Sequence, residues 1–122
     1  MSTSRIAFIG AGNMAKAIIG GMLAEGFTSA QISAGGPGLE TLNKVASEYG
    51  IAVSTDNAAS AANADVIVLG VKPQMLKEVA LGLRASLAHK PLIISVAAGI
   101  TTASIASWLG EDQAIVRCMP NT

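Results

Sequence analysis

The chain contains few aromatic residues, a single cysteine and no excess of charge of either sign. Aromatic residues make up 3% of the chain and hydrophobic residues 51%. The core must therefore consist of Ala, Val, Ile and Leu, which is typical of parallel strands covered by helices on both faces. Cys118 has no second cysteine with which to form a disulfide. A net charge of zero without a Lys/Arg cluster argues against nucleic acid or an anionic membrane surface as a partner and favours a small molecule.

Long apolar runs are also missing. No stretch approaches the roughly 18 consecutive apolar residues that a membrane span requires, and the first residues lack the charged and apolar regions of a signal peptide. We therefore expect a cytoplasmic protein. A length of 122 residues suits one domain, residues 1–122, and is too short for the two domains that most oxidoreductases need.

Six predicted strands alternate with five predicted helical segments. Strands are predicted over residues 6–9, 31–34, 51–53, 65–70, 92–96 and 114–118. Between them lie amphipathic stretches over 15–23, 39–49, 73–87 and 101–109, and a short Ala-rich helix that Asp56 or Asn57 can cap. Leu39 and Met75 belong to the apolar faces of their helices. This alternation predicts an α/β fold of the Rossmann type, a doubly wound parallel sheet in the strand order 3-2-1-4-5-6.

The turn between the first strand and the first helix carries the pattern Gly10-x-Gly12-x-x-Ala15. In this setting Gly10 permits a tight turn, Gly12 lets the backbone approach a pyrophosphate, and Ala15 keeps the helix close to the sheet. The pyrophosphate is expected at the N-terminus of the helix, where free N–H groups and the helix dipole favour anions. The alternative is an ordinary β-α turn.

The end of the second strand bears on the choice of cofactor. An Asp or Glu about twenty residues past the glycine pattern normally binds the ribose of NAD, whereas an Arg or hydroxyls bind the 2′-phosphate of NADP. Residues 33–38 read Ser-Ala-Gly-Gly-Pro-Gly and offer neither. Because no carboxylate repels the phosphate and the amides of Gly36 and Gly38 can bind it, NADP(H) is favoured and NAD(H) is the second candidate. The alternative is that Gly35, Gly36 and Pro37 form only a flexible turn.

The later strands end in further candidate residues: Asn57, Lys72-Pro73, 97–99 and 120–122. The carboxyl ends of parallel strands share one edge of the sheet, so these residues are expected to converge on the cofactor. Asn57 is either a ribose contact or a helix N-cap. Lys72 pairs with either a phosphate or a surface carboxylate. Asp56 is the only acidic residue or histidine at these ends, so neither a proton donor nor a metal site is assigned.

Four motifs together resemble the N-terminal domain of the pyrroline-5-carboxylate reductase family. They are Ile-Ala-Phe-Ile-Gly-Ala-Gly-Asn-Met-Ala at 6–15, Val-Lys-Pro-Gln at 71–74, Ser-Val-Ala-Ala-Gly-Ile at 95–100 and Val-Arg-Cys-Met-Pro-Asn-Thr at 116–122. The resemblance implies an oxidoreductase that passes a hydride from NAD(P)H to the imine carbon of 1-pyrroline-5-carboxylate and so forms L-proline, the last step of proline biosynthesis.

The resemblance also implies roles for individual residues. Ile9 to Met14 bind the pyrophosphate, Asn57 the adenosine side, Gly70 to Pro73 with Val96 to Ala98 the nicotinamide half, and Pro120 and Asn121 border the reacting face. Including the turn at the second strand, the expected cofactor-binding residues are Ile9, Gly10, Ala11, Gly12, Asn13, Met14, Gly35, Gly36, Asn57, Gly70, Val71, Lys72, Pro73, Val96, Ala97, Ala98, Pro120 and Asn121.

In this family a helical C-terminal domain follows, which forms the homo-oligomer and binds the substrate. It is absent here, so we expect the chain to bind cofactor without turnover. Two alternatives stay open: the cofactor domain of a related hydroxyacid or prephenate dehydrogenase, and a nucleotide-sensing module without chemistry. The motifs at 71–74 and 119–122 favour the proline-forming reductase.

Overall fold

The computed structural model describes residues 4–10, 12–36, 38–96, 99–110 and 112–117, with Asn13 described in its backbone only. Six parallel strands form one sheet in the order β3-β2-β1-β4-β5-β6, which confirms the predicted topology. The strands are β1 Ile6–Ile9, β2 Ile32–Gly35, β3 Ala52–Ser54, β4 Val66–Leu69, β5 Leu92–Ser95 and β6 Ala114–Arg117. The helices are α1 Asn13–Ala24, α2 Leu39–Tyr49, α3 Asn57–Ala62, α4 Pro73–Leu83 and α5 Thr102–Leu109, with 3₁₀ turns at Ser29–Gln31 and Arg84–Ser86.

Alternate residues of the strands face two separate core clusters. On the first face, Ile6 and Phe8 pack with residues of α1 and α2 such as Ile19 and Leu42. On the second face, residues of β1, β4 and β5 pack with residues of α3, α4 and α5. From β1 to β3 the chain adds strands toward one edge of the sheet, and from β4 to β6 it adds them toward the other edge. Because the crossovers are right-handed, the helices of these two halves lie on opposite faces. We call these surfaces the α1/α2 face and the α4/α5 face.

Several helix ends follow directly from local sequence. Gly50 ends α2 in the left-handed conformation, with φ of 70°, and donates its N–H to Ala46 O, as a glycine after a helix favours. Asp56 caps α3, because its carboxylate accepts from the amides of Ala58 and Ala59 at 3.1 and 3.2 Å. Asn57 is the first residue of that helix and not its cap.

The helical patterns predict burial for two side chains that are exposed, and they predict one helix that is too long. Leu39 and Met75, both on predicted apolar faces, are 59% and 44% exposed. Each lies in the first turn of its helix, so neither reaches the core that lies over the middle of the sheet. The helix predicted over 73–87 ends at Leu83, and a 3₁₀ turn over Arg84–Ser86 completes the segment.

Lys90 is the one non-glycine residue, among those the structure describes, with a positive φ, at 53°. That conformation costs a non-glycine residue about 1–2 kcal/mol. Replacement by glycine removes this cost, but the gain is partly offset because a glycine loses more backbone entropy on folding. We expect Lys90→Gly to raise the free energy of unfolding by about 0.5–1 kcal/mol. Urea denaturation measures it. Lys77→Gly, inside the exposed side of α4, is the control and should lose about 1 kcal/mol; equal losses in both variants would contradict the assignment.

Candidate functional site

The first residue after each of four strands lies in one row at the carboxyl edge of the sheet. Each donates its amide to the last carbonyl of the neighbouring strand: Gly36 to Ser54 O, Gly10 to Gly35 O, Gly70 to Ile9 O and Val96 to Leu69 O, at 3.2, 2.7, 2.8 and 3.2 Å. Four predicted site residues are thereby held side by side across β2, β1, β4 and β5. This edge is where ligands bind in open parallel sheets.

Gly10 and Gly70 approach each other more closely than side chains allow. Gly10 has a φ of +103°, and a Cβ there would lie 2.8 Å from Gly70 C and 2.9 Å from Gly70 O. Both the backbone conformation and the close contact require glycine at this position. The chain therefore turns sharply at the end of β1, and α1 starts at once beside the ends of β1 and β4.

The N-terminus of α1 is open to a ligand. Gly12 is the N-cap with no side-chain hydrogen bond, and it is exposed, with no atom within 4 Å of the position that a Cβ would take. Lys16 donates to Gly12 O as the first intrahelical bond, so the amides of residues 13 to 15 have no partner within the helix. These amides, with the positive end of the helix dipole, suit a pyrophosphate.

The turn after β2 offers fewer amides than the sequence analysis assumed. The amide of Gly36 donates to Ser54 O, and the residue is buried, so its predicted bond to a 2′-phosphate is wrong because the sheet already uses that donor. Gly38 is the N-cap of α2, and Leu42 N bonds to its carbonyl. The amides of residues 39 to 41 have no partner within the helix, so they are the donors that the start of α2 presents at this turn.

Asn57 is held against Gly35. A Cβ at Gly35 would lie 2.8 Å from Asn57 Oδ1 and 3.2 Å from Ser60 Oγ, so the side chains of Asn57 and Ser60 occupy the space beside Gly35 where α3 approaches the end of β2. Oδ1 is buried and has no hydrogen-bond partner among the described residues. Since the oxygen faces Gly35, the Nδ2 group is the part of this amide that can donate to a ligand.

Lys72 and Pro73 lie at the start of α4. Lys72 is the N-cap and Pro73 the first helical residue, the position that proline prefers. Lys72 is exposed and, as far as the described residues go, forms no ion pair with a carboxylate. The alternative of pairing with a surface carboxylate therefore finds no support, and the ammonium group is available to an anion at this edge.

Two hydroxyl side chains near Gly35 and Gly38 were not predicted from the sequence. Ser60 lies one helical turn after Asn57, and its Oγ is 3.2 Å from the position of a Cβ on Gly35. Thr41 Oγ1 lies 3.6 Å from the position of a Cβ on Gly38. The i, i+3 spacing from Asn57 was the available signal for Ser60. Thr41 carried no signal, because its place beside Gly38 depends on how the turn enters α2.

Five predicted site residues, Ala11, Ala97, Ala98, Pro120 and Asn121, lie outside the described residues. Val71 and Met14 are half-buried, and Ile9 is buried beneath the row of strand ends. Asp56 already accepts two hydrogen bonds as a helix cap. In the described part of the chain, no three His, Cys, Asp or Glu residues are grouped as a metal site, and no helix is long and apolar enough to cross a membrane.

The row of residues after the strands (Gly36, Gly10, Gly70 and Val96), the tight turn at Gly10 and the open start of α1 define a dinucleotide-binding α/β domain. Comparison with known proteins specifies the family: residues 5–99 match the family model described as NADP oxidoreductase, coenzyme F420-dependent. Because the match covers well over half of the 122 residues of the chain, the chain belongs to this family of nucleotide-binding oxidoreductases.

Individual relatives are similar over the whole chain. A pyrroline-5-carboxylate reductase of Pseudomonas aeruginosa is 54% identical over 122 residues, which are all of this chain and 45% of that protein. The solved pyrroline-5-carboxylate reductase of Coxiella burnetii is 43% identical with a TM-score of 0.95, over 99% of this chain and 45% of that one. The Plasmodium falciparum pyrroline carboxylate reductase, solved with NADP bound, is 24% identical with a TM-score of 0.83, over 99% of this chain and 44% of that one, and shows the shared fold. The chain thus spans less than half the length of these relatives.

Proposed function

We propose that this chain is the NAD(P)H-binding domain of a reductase that converts 1-pyrroline-5-carboxylate to L-proline. The open N-terminus of α1, beside Gly10 and Gly70 at the strand ends, carries the proposal, because it presents free amides and a helix dipole to a pyrophosphate. The similarity to pyrroline-5-carboxylate reductases over the full chain supports the substrate. The bound cofactor supplies the hydride. The residues of the chain bind and orient that cofactor along the carboxyl edge of the sheet.

We favour NADP(H) over NAD(H). The amides at the start of α2 and the Nδ2 group of Asn57 are donors, and a 2′-phosphate offers only acceptors at neutral pH. The one carboxylate of the first turn, Glu40, is 89% exposed and lies 3.8 Å from the ammonium group of Lys44, so its repulsion of a phosphate is screened by solvent and by this cation.

Titration of the chain with NADPH and NADH separately, followed by nicotinamide fluorescence or heat, tests both parts of the proposal. Saturable binding of either nucleotide supports the site, and tighter binding of NADPH supports the preference. Equal affinities would contradict the preference alone. Absence of binding at millimolar nucleotide would contradict the site.

The role of Asn57 is tested by Asn57→Asp. This change replaces the Nδ2 donor by a carboxylate, so we expect the affinity for NADPH to fall about tenfold or more and that for NADH to fall less, since only NADPH carries the extra phosphate. Asn63→Asp, exposed at the other end of α3, is the matched control and should leave both affinities unchanged. An equal loss in both variants would show that helix stability, and not contact with the ligand, is responsible.

The complete reaction needs groups beyond the described site. We propose that polypeptide equivalent to the rest of these relatives forms the substrate site, donates the proton to the imine nitrogen and makes the contacts of the homo-oligomer. The chain alone should then bind cofactor and oxidise none of it when 1-pyrroline-5-carboxylate is added. Fusion to the remaining residues of the Pseudomonas aeruginosa relative should restore oxidation of NAD(P)H at 340 nm with equimolar proline. Turnover by the 122-residue chain would overturn this division. A fusion that binds cofactor but forms no proline would favour the nucleotide-sensing module.

The cytoplasmic location stays a prediction.

A further inference from the structure

A polar pocket opens at the amino edge of the sheet, opposite the cofactor site. It has a volume of about 540 Å³ and is bounded by α3, by the 3₁₀ turn at Ser29–Gln31 and by the first residues of β1, β2 and β3. This volume lies within the range of about 300–1,000 Å³ that small-molecule sites occupy. The four residues of β1, about 13 Å of strand, separate the pocket from the turn at Gly10. We call it the amino-edge pocket, and it is distinct from the dinucleotide site.

The amino-edge pocket exists because small side chains lie beneath a short helix. Ile32 and Ala34 of β2 pack on the α1/α2 face, so Ser33 points to the α4/α5 face. In the strand register Ser33 is flanked by Ala7 and Ala52. The helix over this part of the sheet, α3, has only six residues, and α4 and α5 pack with β4 and β5 in the core of this face. Space is therefore left open above Ser33 and Ala52.

Arg5 is the one charged residue, among those the structure describes, that lines the amino-edge pocket. It lies two residues before Ala7 and therefore on the same face of the sheet as Ser33. Its side chain is exposed and forms no ion pair with a described carboxylate. Asp65 accepts the backbone amide of Arg5 at 2.8 Å, not its guanidinium group. The pocket thus carries one uncompensated positive charge, which favours an anion as the ligand.

Ser29 and Ser33 bring hydroxyl groups to the same pocket. Neither hydroxyl has a hydrogen-bond partner among the described residues, although Ser33 is half-buried in the sheet. Ser54 also lines the pocket, but its hydroxyl accepts the amide of Asp56 at 3.0 Å. A partly desolvated hydroxyl is stabilised by a ligand group that both donates and accepts hydrogen bonds. Hydroxyl groups on the ligand meet this requirement.

We propose that the amino-edge pocket binds a small hydroxylated monocarboxylate, with its carboxylate on Arg5 and its hydroxyl groups on Ser29 and Ser33. One guanidinium group matches a carboxylate in geometry and balances its single charge. A phosphate monoester carries a charge of about −1.5 to −2 at neutral pH, so part of its charge would stay unbalanced. The ammonium group of an amino acid would find no carboxylate in the described lining. The site does not depend on the proposed reductase activity.

Nuclear magnetic resonance of the isotope-labelled chain tests the proposal, with D-glycerate as the probe. We expect saturable shifts of the amides of Ser29, Ser33 and Ala52, without shifts at the start of α1. Arg5→Gln should weaken glycerate binding about tenfold or more, and Ser33→Ala about threefold or more. Arg84→Gln, at an exposed arginine before β5, is the matched control and should leave the affinity unchanged. Because the titration needs no nucleotide, its failure would leave the proposed cofactor site unaffected.

Each other outcome overturns the proposal. The absence of saturable shifts at tens of millimolar glycerate would show that the pocket is only a solvent-filled groove. Glycerol 3-phosphate or glycine that binds as tightly as glycerate would refute the ligand class. An equal loss of affinity in Arg84→Gln would place the ligand elsewhere. If Arg5→Gln does not fold by circular dichroism, Arg5→Lys replaces it, because lysine keeps the charge without the planar fork; wild-type affinity in that variant would count against the carboxylate contact.

Discussion

Gly12→Val should weaken cofactor binding about 100-fold or more while the domain stays folded. The valine side chain would project into the open space in front of α1, where the pyrophosphate binds in the proposed site. Loss of two charge-assisted hydrogen bonds at about 1.5–3 kcal/mol each corresponds to a fall in affinity of about 100-fold or more. The backbone at Gly12, with φ of −76° and ψ of −172°, is allowed for valine. Stability should therefore change by no more than the loss of a preferred cap residue, about 1 kcal/mol.

Gly21→Ala is the matched control for that variant. Gly21 lies in the same helix, is exposed and has no atom within 4 Å of its Cβ position. Alanine there should raise the free energy of unfolding by about 1 kcal/mol and leave the affinity for NADPH and NADH unchanged. Calorimetric titration and urea denaturation of both variants measure the two quantities. Wild-type affinity in Gly12→Val would place the nucleotide elsewhere and refute the proposed site.

Gly10→Ala should be the most destabilising single-methyl substitution in the row of strand ends. The residue would adopt a φ of +103° and bring its Cβ to 2.8 Å from the backbone of Gly70. Backbone strain and the forced separation of β1 and β4 each cost about 1–3 kcal/mol. We therefore expect a loss of about 3 kcal/mol or more, a large part of the stability of an ordinary domain.

Gly26→Ala separates the two contributions to that loss. Gly26 has a φ of +110°, similar to that of Gly10, but no atom within 4 Å of its Cβ position. Its alanine variant should lose only the strain, about 1–2 kcal/mol. The difference between the two denaturation midpoints then measures the contact with Gly70. Identical midpoints would mean that β1 and β4 separate at their ends without cost.

Short-range patterns predicted most of the elements. The runs at residues 6–9 and 66–69 are apolar at every position because parallel strands are buried on both faces, and they became β1 and β4. Gly50 and Asp56 fixed the end of α2 and the start of α3, since each acts on backbone groups within four residues of itself. The order of the strands followed as well, because right-handed crossovers leave few arrangements for alternating strands and helices.

Errors arose wherever the outcome depends on a neighbouring strand or on the end of a helix. The amide of Gly36 was assigned to a phosphate, but Ser54 of β3 accepts its hydrogen bond. Met75 and Leu39 have the spacing of core residues, yet their helical turns lie beyond the packed part of the sheet. Neither the partner of an amide nor the extent of a sheet is encoded in the spacing along one segment.

The sequence by itself determined the class of fold, the strand order and the glycine turn at α1, because periodicity, caps and glycine geometry act over a few residues. Only the tertiary structure decided which donors remain for a ligand, that the side chain of Asn57 lies against Gly35, and that Leu92 and Val116 of the outer strands are exposed. These features depend on contacts between segments far apart in the chain, and their distances are set by the packing of the whole sheet.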